Sequence, residues 1–313
     1  MYDDLIKLFP GSLRYLFLKV AESRKEIQEI RIRAWRPVIV IRNGKEYFLK
    51  EDGDYTTKAE EAKCLSERDT EEIFQHICNY SVYAYEDEIR QGYITVAGGH
   101  RVGVAGQVVL EDDLHIRTIK HIRYLNIRIS HEVRGASESV LPYIYRNGKL
   151  YNTLIVSPPG CGKTTMLRDM IREISDGNSF GRGQTVGVVD ERSELAGCYM
   201  GIAQNDLGIR TDILDGCPKA LGMIQLIRAM APEVIAVDEL GDEEDIRAVQ
   251  KALCCGCSMI ATIHAENQEE LEKKDYLKPL YQKRAFQRYI YMKKEDGKCI
   301  VEGIYDAEGV KIW

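Results

Sequence analysis

Residues 154–169, LIVSPPGCGKTTMLRD, place a lysine and two hydroxyl side chains directly after a glycine-containing turn. The phosphate-binding pattern G-x-x-x-x-G-K-[ST] is met at Gly162, Lys163 and Thr164, with Ser157 where the first glycine usually stands. The chemistry this spacing allows is the cradling of a phosphate chain. Backbone N–H groups of Gly160, Cys161 and Gly162 can converge on a phosphate at the positive end of the helix that follows. Lys163 can reach the β- and γ-phosphates, Thr164 can ligate Mg2+, and Thr165 can add a hydroxyl near the α-phosphate. Ser157 falls where a strand turns into the loop, outside that nest of N–H groups, and Pro158 and Pro159 stiffen the turn by fixing φ. ATP and Mg2+ are the expected ligands.

A second acidic group completes this chemistry. The stretch EVIAVDELGDEED is an apolar run that ends in Asp238 and Glu239. Asp238 is expected to hold the Mg2+ shell, and Glu239 to polarise the attacking water as general base. A binder without hydrolysis would be expected to lack Glu239. GVVDERSELAG places Asp190, Glu191, Arg192 and Glu194 at the end of another apolar run, and MIATIHAEN does the same for Thr262 and His264. Ligands of open parallel sheets bind outside such carboxyl ends. His264 is read as a γ-phosphate sensor and Glu191 as the next candidate base. The cluster LCCGCSM, 253–259, lacks the second cysteine pair a zinc site would need, so burial of its thiols under a sheet is expected.

These side chains need a frame. From about residue 150, short apolar runs (NTLIVS, TVGVVD, EVIAVDE and SMIATIH) alternate with the helical stretches KTTMLRDMIREI, KALGMIQLIRAM and EEDIRAVQKAL. That alternation predicts a parallel sheet covered by helices. The first half reads differently. An Asn43-Gly44 hairpin, a capping box from Ser66 to Asp69 ahead of a helix, and glycine-punctuated paired strands over 92–117 predict an α+β domain. The polar turn YRNGKLYN marks the expected boundary, dividing the chain into 1–148 and 149–313. GNSFGRGQ, 177–184, reads as a glycine-rich surface loop.

The 313 residues carry a net charge of −6, which argues against a chain-wide basic footprint for nucleic acid. Nine cysteines in a chain of this length read as reduced thiols of a cytosolic compartment. The acidic start MYDDLIKLFP is no signal peptide, and no uncharged apolar run approaches the roughly 18–20 residues that span a bilayer. Direct membrane insertion is not expected, and membrane contact would run through partners.

Taken together, SPPGCGKTTMLRDMIREI, VVDERSELAG, RTDILDGCPKA, IRAMAPEVIAVDELG and ATIHAEN resemble the stage III sporulation protein AA family. In the first half, EIRIRAWRPVIV, QGYITVAGGHRVGVAGQVV and LNIRISHEVRG resemble it too, so the likeness covers nearly the whole chain. More widely the chain is similar to the ATPases of type II and type IV secretion systems. The resemblance implies a RecA-like P-loop ATPase core after a smaller α+β N-terminal domain. It also implies a hexameric ring and a peripheral position at the inner face of a membrane, with channel proteins of a sporulation complex as partners. Asp190 and Glu191 would form its acidic box and residues 261–264 its histidine box. One or more of Arg101, Arg117, Arg123 and Arg128 would reach the nucleotide across or along the domain cleft, whereas Arg192, Arg210 and Arg228 would act within the subunit. Ser157 departs from the family's glycine. A further departure is that the core is expected to end with RYIYMKK and a KCIVEGIYDAEGVKIW hairpin, without the additional helical domain of many secretion ATPases. Two other readings stay open: a RecA-like ATPase on nucleic acid, using Arg31, Arg33, Arg36 and Arg42, and a scaffold assembled by nucleotide without hydrolysis.

Overall fold

A computed structural model describes residues 4–112, 115–295 and 297–313. The expectations about the first residues of the chain and the turn at 113–114 lie outside the described residues. The chain forms two units, one of 1–131 with 197–204, the other of 132–196 with 205–313.

The first unit is built on an antiparallel sheet of seven strands: β1 (Ile27–Arg33), β2 (Ile39–Arg42), β3 (Lys45–Leu49), β4 (Tyr55–Thr56), β5 (Tyr93–Val96), β6 (His100–Leu110) and β7 (Ile116–Arg128), in the order β4-β3-β2-β1-β7-β6-β5. Asn43 (φ +50°) and Gly44 (φ +73°) make the two-residue turn between β2 and β3, the left-handed pair that matches strand twist. Its helices are α1 (Arg14–Glu22), α2 (Glu67–Ile77) and α3 (Glu86–Gln91). Ser66 and Asp69 close the capping box of α2 reciprocally, at 3.1 and 2.8 Å. The core gathers Phe9 stacked on Phe17 at 3.6 Å with Ile30, Ile32, Ile73, Val102 and Ile127. Arg31 is paired with Glu29 and Arg42 with Glu26, which dilutes the basic face of the first hairpin.

The second unit begins with α4 (Leu141–Ile144) and a tight hairpin of β8 (Tyr145–Arg146) and β9 (Lys149–Leu150). Its main strands are β10 (Thr153–Ser157), β13 (Val186–Asp190), β14 (Thr211–Asp215), β15 (Val234–Val237), β16 (Ser258–His264), β17 (Arg288–Glu295) and β18 (Lys298–Asp306); a short pair, β11 (Gly177–Asn178) and β12 (Gly181–Arg182), lies within the glycine-rich segment. The order is β14-β13-β15-β16-β10-β17-β18, parallel throughout except for β18. The helices α5 (Lys163–Asp176), α6 (Lys219–Met230), α7 (Glu243–Cys254), α8 (Gln268–Glu272) and α9 (Lys278–Gln282) connect and cover these strands. This is the RecA-like P-loop α/β core expected from the sequence.

Three expectations change here. The division falls at 131/132 and not at 148/149. Residues 145–152 look like a linker because they are polar, but Asn147 (φ +50°) and Gly148 (φ +76°) simply turn β8 into β9. The preceding segment is tied to the second unit by Asp169 of α5, which accepts from the Ser137 N–H at 2.8 Å and hydroxyl at 2.7 Å. In addition, 197–204 leaves the second unit. Tyr199 accepts a hydrogen bond from Asn79, and Gln204 accepts one from the Gly98 N–H. The cysteine cluster is likewise not buried as a group. Cys254 and Cys255 are exposed where α7 ends, and only Cys257 is buried.

Candidate nucleotide site

β10 delivers the glycine loop and α5 leaves it at Lys163, so the loop sits at the carboxyl end of a strand flanked on both sides. Gly160 (φ +72°) and Gly162 (φ +78°) hold the left-handed backbone that favours glycine. Ser157 does not: it is the last residue of β10, nearly fully buried, and its hydroxyl donates to the Pro158 carbonyl at 2.9 Å. A side chain at that position therefore carries no backbone cost. Cys161 is buried, Thr165 is half-buried, and Pro159 and Gly160 are exposed. The first N–H groups of α5 have no partner within the helix and stand at its positive end.

Side chains from three strand ends meet beside this loop. Thr164 donates to Asp238 Oδ2 at 3.0 Å, and Thr262 donates to Asp238 Oδ1 at 2.6 Å. The Glu239 N–H lies 3.1 Å from Asp238 Oδ1 and 3.0 Å from Thr262 Oγ1. Glu239 itself is left-handed, with φ +32°. Lys163 Nζ lies 3.0 and 3.1 Å from the two ring nitrogens of His264, whose Nε2 is 3.6 Å from Glu239 Oε1. Arg192 approaches the other Glu239 oxygen at 3.6 Å. Burial pushes the Lys163 ammonium below the usual lysine range, against the pull of the Asp238 and Glu239 carboxylates.

The loop after β13 behaves in two ways. Asp190 is buried and accepts three backbone N–H groups, from Glu194, Leu195 and Ala196, so it shapes the loop. Burial raises its carboxyl above the usual range in spite of those three donors. Arg168 of α5 clamps the same loop by donating to the Glu194 and Leu195 carbonyls. Glu191 instead pairs with Lys219 at the start of α6. Glu191, Arg192, Glu194 and Lys219 line one cleft with Asp238 and Glu239.

The sequence-derived site residues Lys163, Thr164, Asp238, Glu239, Thr262 and His264 thus converge, and Glu191 lies in the same cleft. The arginines separate. Arg123 is bound by Glu67 and Glu71 within the first unit, which removes it from the candidates for a free phosphate ligand. Arg101 lies over the Tyr93 ring at 3.5 Å, Arg117 and Arg128 are exposed, and Arg210 donates to the Ser175 carbonyl. Arg168, Lys219 and Asp245 went unread in the sequence. Arg168 and Lys219 find their partners more than twenty residues away, and Asp245 reaches Lys219 over a similar separation, so no local spacing signals these pairings.

Comparison with known proteins gives the family and the fold. The chain is 41% identical over 308 residues to stage III sporulation protein AA of Bacillus subtilis (strain 168), covering 98% of this chain and 96% of that one. Among solved structures, the ATPase DotB of Legionella pneumophila superposes with a TM-score of 0.61 at 16% identity, over 96% of this chain and 81% of its own. The pilus retraction motor PilT with bound ADP gives 0.58 at 14% identity, over 92% and 81%. The fold is therefore that of the P-loop secretion ATPases. The model of the family described as "Sporulation stage III, protein AA" matches residues 2–312, and the chain belongs to that family.

Proposed function

We propose that the chain is a Mg2+-dependent ATPase that works as a ring, hexameric by analogy with the secretion ATPases, and energises a membrane-spanning channel complex during sporulation. The observation that carries this reading is the convergence of Lys163, Thr164, Asp238, Glu239 and His264 at the carboxyl ends of β10, β15 and β16. Membership of a sporulation family supports the setting, and the ADP named in the PilT structure supports the nucleotide.

In this reading Lys163 exchanges its contact with His264 for the β- and γ-phosphates, and the N–H groups of the glycine loop take the remaining phosphate charge. The Thr164 hydroxyl and Asp238 carboxylate, 3.0 Å apart, are the hard oxygen donors that Mg2+ takes alongside nucleotide phosphates, and they would hold it. When bound, the ion neutralises charge on the phosphate oxygens. Glu239 accepts a proton from the water that attacks the γ-phosphorus as the bond to ADP breaks. His264 faces both Lys163 and Glu239, and in this reading it responds to the γ-phosphate. No helix among the described residues is long and apolar enough to cross a membrane, so attachment through channel proteins at the cytosolic face is part of the proposal.

The test is nucleotide binding by Lys163→Ala. Losing the ammonium should weaken Mg-ATP binding at least about tenfold, roughly 1.4 kcal/mol. Undiminished affinity would remove the foundation of this reading.

A further inference from the structure

Lys219 stands in an unusual place. It is the first residue of α6, where the helix dipole disfavours a cation, and no acidic residue in that first turn compensates. Its side chain is largely buried in the wall of the cleft that Asp238 and Glu239 line. Two carboxylates hold it there. Glu191, from the loop after β13, pairs with it directly, and Asp245 Oδ2, in the first turn of α7, lies 3.7 Å away. Asp245 in turn accepts the Gly241 N–H at 2.9 Å, two residues beyond Glu239. One ammonium therefore links the loop after β13 to the loop that carries Glu239. Burial opposes the charge on Lys219, yet its carboxylate partners hold the ammonium above the usual lysine range.

Resting on the ATPase reading above, we propose that Lys219 is a positioning residue of the site. It anchors the Glu191 carboxylate against the cleft wall and joins the two acidic loops, so that Glu191 acts through Lys219 and the water is left to Glu239. A local conflict with the helix dipole, compensated by Glu191 of the cleft and by Asp245 beside it, is expected where function sets the placement. A purely structural ion pair at this point would affect stability and spare turnover.

The test uses the full chain and measures kcat, ATP affinity and melting temperature for Lys219→Met, Lys219→Arg, Glu191→Gln and the double variant Glu191→Gln/Lys219→Met. Lys219→Met should lower kcat at least about tenfold while Kd for ATP stays within about threefold, because positioning is lost and binding is kept. Lys219→Arg should keep at least about a third of parental kcat by preserving the charge. The double variant should be no slower than the slower single variant, since the two residues act as one unit. Parental kcat in Lys219→Met, additive losses in the double variant, or a Kd that worsens in step with kcat would each overturn the proposal. Should Lys219→Met fail to fold with Glu191 left unpaired, the double variant is compared with Glu191→Gln. Equal kcat supports the proposal, and a further fall of about tenfold overturns it. A parent chain without any ATP turnover refutes the functional reading and this proposal with it. A parent with turnover and an unimpaired Lys219→Met refutes this proposal alone.

Discussion

Thr262→Val tests whether one buried hydroxyl sets both acidic residues of the site. Thr262 is fully buried; its Oγ1 donates to Asp238 at 2.6 Å and accepts the Glu239 N–H at 3.0 Å. Valine keeps the branched shape and loses both bonds. A hydrogen bond to a charged acceptor contributes about 1.5–3 kcal/mol. The Glu239 N–H retains Asp238 Oδ1 at 3.1 Å, so the second loss adds little. The extra buried methyl returns about 0.8 kcal/mol. The net cost is about 1–2 kcal/mol, or about 2–8 °C in Tm for a domain of this size. The larger effect falls on turnover. Glu239 is held at φ +32°, in a region that costs a non-glycine residue about 1–3 kcal/mol. With one of the two acceptors of its N–H gone and Asp238 released from the Thr262 hydroxyl, the backbone that aims the Glu239 carboxylate is held less firmly. Thr262→Val should lower kcat at least about tenfold with ATP affinity within about threefold of parent, and Thr262→Ser should recover most of the rate. Coupled ATPase assays, nucleotide titrations and thermal melts on the same preparations decide the matter. Parental kcat in Thr262→Val with a Tm shift under about 1 °C would refute the reasoning.

Further outcomes follow from the same contacts. Glu239→Gln should retain ATP and lose turnover, because an amide keeps the shape and takes no proton; hydrolysis near the parental rate would pass the base role to another group. Ser157→Gly should change turnover at most about threefold, since the residue already sits in ordinary strand backbone and glycine only loosens it; a larger rise, seen in steady-state kinetics, would show that the serine restrains the loop. Asp169→Asn should destabilise the second unit by about 2–4 kcal/mol at neutral pH, because the amide keeps one acceptor oxygen and turns its NH2 on either Arg172 or the Ser137 N–H and hydroxyl, and the charge facing Arg172 is lost. Burial pushes the Asp169 carboxyl up, but these donors outweigh it and hold it below the usual range. The parent's advantage is thus fully present above the ordinary Asp value of about 3.9 and fades as pH falls through the lower folded value. Denaturant melts from pH 7 downward should show the gap closing only in acid; a gap constant with pH would contradict the assignment.

The phosphate loop and the Asp238-Glu239 pair were legible in the sequence because their chemistry is local. A strand, a glycine turn and a lysine opening a helix are contiguous, and the buried parallel strands β10, β13, β15 and β16 announce themselves as short apolar runs with polar carboxyl ends. β14 was not legible: Thr211–Asp215 lies at the sheet edge, half-buried, and its two aspartates mask the strand. The division of the chain was misplaced for a related reason. A two-residue β-turn and a linker share the same polar composition, and only the hydrogen bonds from Ser137 to Asp169 assign the preceding segment.

The class of core and the loop residues proposed to face phosphate are readable from the chain alone, because both rest on short contiguous patterns. How those residues are held depends on packing between segments far apart in the chain. Thr262 meets Asp238 across 24 positions, Lys163 meets His264 across 101, and Lys219 meets Glu191 across 28. Such pairings leave no periodicity to read. The parallel sheet brings its strand ends to one edge, and burial there makes each polar group find whichever partner the packing puts within reach.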